Sequence, residues 1–332
     1  MSCPRVCLLG ARGLPAVYDQ SAYADPKAAR VGRDGLLLSS APSGAIRAAD
    51  DRMDQTTPAR RTTVTVRPSS GWARVRSREL WEYRELFYFL TWRDIKVRYK
   101  QTAFGAAWAV LQPFMTMVVF SLFFGSLAGI SSGDVPYPVF AFAALVPWTF
   151  FATAVALAGN SLVEQERILS KVYFPRLIVP AAAVLACLVD LTVAFVVLLG
   201  MMLVYGIVPS AAVVTLPFFV VFAALTALAV GLWLSALNVR YRDVRYVIPF
   251  LVQLWLFASP VAYPASLVPE PWNAVYGLNP MVGVIEGFRW ALLGDAEPPG
   301  PMLAVSVVAT AALLVGGLLY FRRMERSFAD VV

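Results

Sequence analysis

The chain of 332 residues contains no histidine. That absence removes a Ser-His-Asp triad, a zinc-binding HExxH helix and a histidine proton relay. The cysteines are Cys3, Cys7 and Cys187. Cys187 stands in an apolar run, as a small buried residue does. Cys3 and Cys7 lie in a polar arm without metal-type neighbours, so neither a metal site nor a structural disulfide is expected. A P-loop requires G-x-x-x-x-G-K-[ST], whose backbone amides cradle phosphates. The lysines are Lys27, Lys96, Lys100 and Lys171, and none follows a glycine. The chain therefore has no nucleotide site of that kind and no predicted catalytic residue, and it is not read as an enzyme.

What remains are charged side chains in unusual places. Residues 164–176, EQERILSKVYFPR, interrupt two long apolar runs with Glu164, Glu166, Arg167, Lys171 and Arg176. Acidic residues lead and Lys171 follows, the order a short helix dipole favours, and Pro175 would end such a helix. Helix physics does not account for Tyr173 and Phe174, which need a surface to cover them. Arg93, Asp94, Lys96, Arg98, Tyr99 and Lys100 form a second charged cluster before the first apolar run. Asp190 stands inside the run LACLVDLTVAF, where a charge costs about 2.5–3.5 kcal/mol and must face protein, water or a partner. Glu286 and Arg289 are three apart, a spacing that lets them pair on one helical face.

The elements that position these residues follow from composition. The chain is 59% hydrophobic and 15% charged, and its mean hydropathy is +0.65. Apolar runs beyond about 18 residues read as transmembrane helices. The expected fold is therefore an all-α polytopic membrane protein with six spans, near 104–128, 137–160, 177–205, 211–237, 246–262 and 302–321. The third would be about 43 Å long and must tilt or project. Residues 78–92, RELWEYRELFYFLTW, place Arg78, Glu79, Glu82 and Glu85 on one arc and Leu80, Tyr83, Phe87 and Leu90 on another. That pattern suits an amphipathic helix in the membrane interface.

Basic residues set the orientation. The links with Arg93–Lys100, with Arg167, Lys171 and Arg176, with Arg240, Arg242 and Arg245, and with Arg322, Arg323 and Arg326 all fall on one side. The alternate links lack this bias. Both termini are thus expected in the cytoplasm, with 164–176 inside and 263–301 outside. The net charge of +7 is explained by topology and membrane lipids, not by nucleic acid. The stretch 279–295 is apolar but too short to cross, as a re-entrant or interfacial helix is. The expected organisation is an arm over 1–71, mostly disordered, and a cytoplasmic amphipathic unit over 72–100. A six-span domain over 101–322 and a cytoplasmic tail over 323–332 complete it. In the arm, RVCLLGARGLP (5–15) resembles the opening of a glycosyltransferase-type Rossmann domain, but no βαβ unit follows it. It is not expected to be a signal peptide, because its apolar stretch is too short.

Four segments, in order, carry a family resemblance: TWRDIKVRYKQTAFGAAWAVLQP (91–113), NSLVEQERILSKVYFPRLIVP (160–180), ALNVRYRDVRYVIPFLVQLWLFASPVAYP (236–264) and LNPMVGVIEGFRWALL (278–293). From about residue 78 onward the chain resembles the permease subunits of bacterial ABC type-2 exporters that move O-antigen, capsule, teichoic acid or galactan. Residues 1–77 depart from that pattern. The resemblance implies a homodimer in the bacterial inner membrane. It also implies two copies of a separate ABC ATPase, which bind ATP and Mg, and a lipid-linked polysaccharide as substrate. It makes 164–176 a coupling helix, with Glu164, Arg167, Lys171, Tyr173, Phe174, Pro175 and Arg176 facing the ATPase. Arg93, Asp94, Lys96, Arg98 and Tyr99 would lie at the cytoplasmic entrance.

A sliding glycan needs ring faces and hydroxyl partners, because stacking does not fix register. Candidate channel residues are Trp108, Gln112, Phe114, Trp148, Phe150, Phe151, Gln253, Trp255 and Tyr263, although aromatic residues near span ends also form interfacial belts. Asp190, Glu286 and Arg289 are the candidate intramembrane polar residues. The rival readings are an ABC exporter of another lipid or a drug, a membrane-embedded glycosyltransferase, and a passive channel. The glycosyltransferase would need a carboxylate cluster that Glu270, Glu286, Asp295 and Glu297 do not form in sequence.

Overall fold

The computed structural model describes residues 81–100, 105–130, 132–169, 174–269, 272–294 and 300–325. All lie within the compact unit Ser69–Val332. The arm 1–71, Lys171 and Tyr173, and the loop acids Glu270, Asp295 and Glu297 are outside the described residues.

The described residues are helical and contain no strand. In chain order, α1 is Arg84–Lys100, and α2 is Gly105–Phe120, continued by a π-helical turn over Ser121–Leu127. Next come α3, Tyr137–Glu164, and the single turn α4, Glu166–Leu169. The third apolar run forms α5, Ile178–Ala186, and α6, Leu188–Val204, with the break at Cys187. A 3-10 turn over Ala211–Thr215 leads into α7, Leu216–Arg240, and α8 is Val244–Phe257. The segment after α8 holds α9, Asn273–Gly277, and α10, Pro280–Leu293, before α11, Pro301–Glu325.

Five of these helical runs are long and apolar enough to cross a membrane: Ala107–Leu127, Tyr137–Glu164, Ile178–Val204, Ala211–Arg240 and Pro301–Glu325. The fifth run expected from sequence is shorter than the others. Its α8 has 14 residues, about 21 Å of rise. Beyond Phe257 the chain turns through Ala258–Val261, where Pro260 removes one backbone donor and favours an extended conformation at Ser259.

Helix α3 is the axis of the bundle. Of its most apolar stretch 78% is buried within the chain, against 17% for α2 and for α11. It crosses α7 at small residues. A Cβ on Gly231 would stand 2.6 Å from the Ala158 Cβ, and one on Gly159 would stand 3.3 Å from the Leu234 Cβ. Such contacts let helices approach closely where van der Waals packing drives association. Asn238 Nδ2 ties the crossing by donating to Gly159 O and Asn160 Oδ1, each at 3.0 Å.

One buried cluster joins Leu90 of α1, Leu162, Phe174, Ile178 and Val179, Leu232 and Val239 of α7, and Phe321 of α11. The basic links predicted to share one side of the membrane therefore converge at one end of the bundle. Tyr83, just before α1, and Phe87 pack on this cluster beside Leu90, so the arc expected to meet the membrane interface packs on the chain itself. Trp81, Tyr88, Phe89 and Trp92 stay exposed.

At the opposite end α10 packs among the starts of α3, α7 and α11. Asn279 caps its first turn, with Oδ1 accepting from Met281 N, and Gly294 ends it at φ 71°. Gly287 lies under the Phe219 ring, where a Cβ would meet Cε1 at 2.0 Å. This apolar helix, too short to span, is thus covered by protein on almost every side, the setting in which such backbone is tolerated at membrane depth.

Candidate functional site: the segment 164–176 and the open helix faces

The segment 164–176 leaves α3 at Glu164, breaks at Gln165 and makes one turn, α4. Glu164, Arg167 and Ile168 are exposed there. Phe174 corrects the expectation that it faces a separate subunit: it is only 4% exposed and packs with Leu90, Leu162, Ile178, Val179 and Phe321. The surface covering it comes from its own chain, in a cluster that includes Leu90 of α1 and Phe321 of α11. Pro175 and Arg176 are locked onto α5, with Ile178 N donating to Pro175 O at 3.1 Å and Val179 N to Arg176 O at 3.2 Å. Arg176 also donates from its backbone N to Glu325 Oε1 at 3.3 Å and from Nη1 to Glu325 O at 3.2 Å.

The charged cluster on α1 is largely paired. Arg93 Nη2 and Asp94 Oδ1 form an ion pair at 2.8 Å, and Lys96 Nζ lies 5.4 Å from the Trp92 ring centroid. Arg98 and Tyr99 both donate to the Asp190 carboxylate. The mid-run charge thus has two partners from α1, and they arrive beside the Cys187 break. Burial alone would lower the Arg98 pKa, but neighbouring Cys187 and Asp190 outweigh it and raise the value. Burial, reinforced by the bond to Asp190, pushes the Tyr99 phenol well above the usual tyrosine range. It therefore remains a donor at neutral pH.

The candidate channel residues divide in two. Trp108, Gln112 and Phe114 on α2 and Gln253 on α8 lie on open faces, Trp108 at 60% exposure. Trp148 and Phe150 do not, and correct the expectation that they meet a glycan. Both are buried in α3, where Trp148 lies 5.5 Å from Phe151, which in turn meets Trp255 edge-on at 5.1 Å. The signal read from them, an aromatic in an apolar run, is the same for a lining residue and a core residue. Their helix is the central one.

Tyr263 belongs to a polar knot around Arg289. Arg289 pairs with Glu286 at 3.1 Å, as the spacing predicted, and donates to Val261 O at 2.9 Å and to Tyr263 O at 3.4 Å. Its guanidinium carbon lies 3.6 Å above the Phe140 ring centroid. One side chain thereby satisfies carbonyls that the turn after α8 leaves without helical partners. Tyr276 OH donates to Tyr263 OH at 3.1 Å, and Tyr137 OH to Ala262 O at 2.6 Å. Trp255 Nε1 donates to Asn279 Oδ1 at 2.8 Å. Sequence reasoning did not single out Asn279, Tyr276 or Glu325. The Asn-Pro pair before an apolar run marked Asn279 as a helix cap; Glu325 carried no such signal.

With this arrangement in place, the comparison with known proteins is decisive: residues 85–293, from α1 through α10, match the model of the family described as ABC-2 type transporter. The chain belongs to the ABC-2 type transporter family. It is 32% identical over 262 residues to the O-antigen export system permease protein RfbA of Myxococcus xanthus, covering 77% of this chain and 98% of that protein. It is 24% identical over 255 residues to an RfbA of Klebsiella pneumoniae (75% and 95%). It is 22% identical over 240 residues to the polysialic acid transport protein KpsM of Escherichia coli (71% and 92%). This ABC-2 transporter is thus a multi-pass membrane permease in which the segment 164–176, the α1–α6 ion pair and the Arg289 knot all fall inside the family domain. All of α11 lies beyond it.

Proposed function

We propose that this permease is the transmembrane subunit of an ATP-driven exporter. It moves a lipid-linked polysaccharide from the cytoplasm across the bacterial inner membrane, as a homodimer served by two separate ATPase chains. The relatives named for O-antigen export and polysialic acid transport support the substrate class. The observation that carries the mechanism is the segment 164–176. It exposes Glu164, Arg167 and Ile168 at the basic end of the bundle while Phe174 and Arg176 root it in α5 and α11. A partner pressing on its exposed turn moves spans rather than a loose loop.

The excess of Arg and Lys in the links at that end argues that it faces the cytoplasm. The open faces of α2 and α8, bearing Trp108, Gln112, Phe114 and Gln253, are the surfaces suited to meet a second copy and the glycan. ATP and Mg are held by the partner chains.

The test is to co-express the permease with a candidate P-loop ABC ATPase from the same genome and purify the complex. Co-purification and polysaccharide export that depends on ATP are expected. Export unaffected by inactivating the ATPase, or no association between the chains, would overturn the reading.

A further inference from the structure

Helix α11 runs from the coupling segment to the opposite end of the bundle, and it is anchored at both ends. At the basic end its last described residue, Glu325, accepts from Arg176 N at 3.3 Å and from Arg176 Nη1, through its backbone oxygen, at 3.2 Å. One turn earlier Phe321, fully buried, shares a cluster with Phe174. At the other end Ser306 Oγ donates to Gly277 O at 2.9 Å and approaches Asn279 O at 3.4 Å. A Cβ on Gly283 of α10 would stand 2.8 Å from Ser306 Cβ, and one on Gly277 would stand 3.1 Å from Met302 Cγ. These residues belong to the segment that carries the Arg289 knot and Tyr276.

Between the anchors α11 is continuous over its 25 residues. Ser306 and Glu325 are separated by about 29 Å along its axis. The weak point of such a rod is a glycine pair, here Gly316-Gly317, and it is clamped. A Cβ on Gly316 would meet Trp233 Cζ2 at 3.0 Å, and one on Gly317 would meet Ala229 O at 3.1 Å. Trp233 Nε1 donates to Leu313 O at 3.0 Å and its ring stacks on Tyr320 at 4.9 Å. A hydrogen-bonded helix clamped where it could bend transmits displacement along its axis.

We propose that Glu325 is a positioning residue that fastens the coupling segment to α11, and that α11 delivers movement of that segment to the turn Gly277–Asn279 at the far end of the bundle. The inference rests on the functional reading above and adds a route to it. Segment 164–176 is joined by the chain only to α3 and α5; the Arg176–Glu325 contact engages a third span. Apart from that contact, α11 packs on α7 through Trp233 and through the Thr226–Thr310 hydrogen bond at 3.1 Å.

Spatial intermediacy alone does not demonstrate coupling, so the test is a double-mutant cycle in the assembled complex. Glu325→Ala, Ser306→Ala and the double variant are compared for polysaccharide exported per ATP hydrolysed, a ratio that a loss of folded protein does not change. Glu325→Ala is expected to lower the ratio about threefold or more. Ser306→Ala is expected to have a smaller effect that disappears in the Glu325→Ala background. Sites this far apart otherwise add to within about a factor of two. Log-additive effects, or an unchanged ratio in Glu325→Ala, would overturn the inference.

Glu325→Gln, which keeps an acceptor oxygen, is expected to export nearly as wild type. If Glu325→Ala fails to assemble, Arg176→Lys replaces it in the cycle, because it removes the Nη1 bond to Glu325 O with the charge retained. Wild-type ATP-dependent export is the internal control: its absence condemns the functional reading, whereas export with an additive cycle condemns this inference alone.

Discussion

Arg98 and Asp190 form an ion pair across 92 positions of sequence, joining the end of α1 to the first turn of α6. Tyr99 donates to the other oxygen of the same carboxylate. The charged end of α1 is thereby held against the third span beside the Cys187 break. An unpaired carboxylate inside an apolar run would be costly, and α1 supplies the compensation.

Removing one partner of this pair should hurt more than removing both. Asp190→Asn leaves the Arg98 guanidinium half-buried without its carboxylate and is expected to cost about 2 kcal/mol. The double variant Asp190→Asn with Arg98→Gln should recover part of that loss. Thermal unfolding in detergent measures it; equal stability of Asp190→Asn and wild type would show the pair to be inert.

Phe174 and Ile168 should separate folding from docking. Phe174→Ala empties a buried site and is expected to destabilise the chain by about 3–5 kcal/mol. Ile168 is exposed on α4, and Ile168→Ala should leave the melting temperature unchanged while weakening ATPase binding severalfold. Titration of the ATPase onto immobilised permease is the readout; a Phe174→Ala protein with wild-type stability would contradict the packing described.

Two tryptophans should part in the same way. Trp148→Ala is expected to destabilise by about 3–5 kcal/mol through the cavity left in the core. Trp108→Ala removes an exposed ring and should leave stability within about 0.5 kcal/mol while slowing export. Normal export by Trp108→Ala would take it out of the path.

Arg289→Lys tests the knot. Lysine keeps the charge but cannot reach Glu286, Val261 O and Tyr263 O together with one planar fork. Each buried carbonyl left unpaired costs about 1–3 kcal/mol. A clear drop in melting temperature is expected, along with faster hydrogen exchange in 258–265. Unchanged exchange there would show that the turn is held by other contacts.

The sequence by itself determined the class and the elements. Apolar runs longer than the hydrocarbon core is thick can only be buried or span, and their backbones must be helical. The Glu286–Arg289 pairing and the shared face of Tyr83, Phe87 and Leu90 were legible because each depends on spacing along one local stretch. Tertiary structure decided what depends on which helix is central and which residues meet across it. Trp108 and Trp148 look alike in sequence, yet one is exposed and the other buried, because α3 is enclosed by its neighbours and α2 is not. Phe174 reads as a docking residue in sequence, yet it is buried in a cluster with Leu90 and Phe321, from opposite ends of the domain. Asp190 had no visible partner within its own run, and Glu325 gave no local sign of reaching Arg176. Contacts at such separations are set by the packing of whole helices, and no local periodicity encodes them.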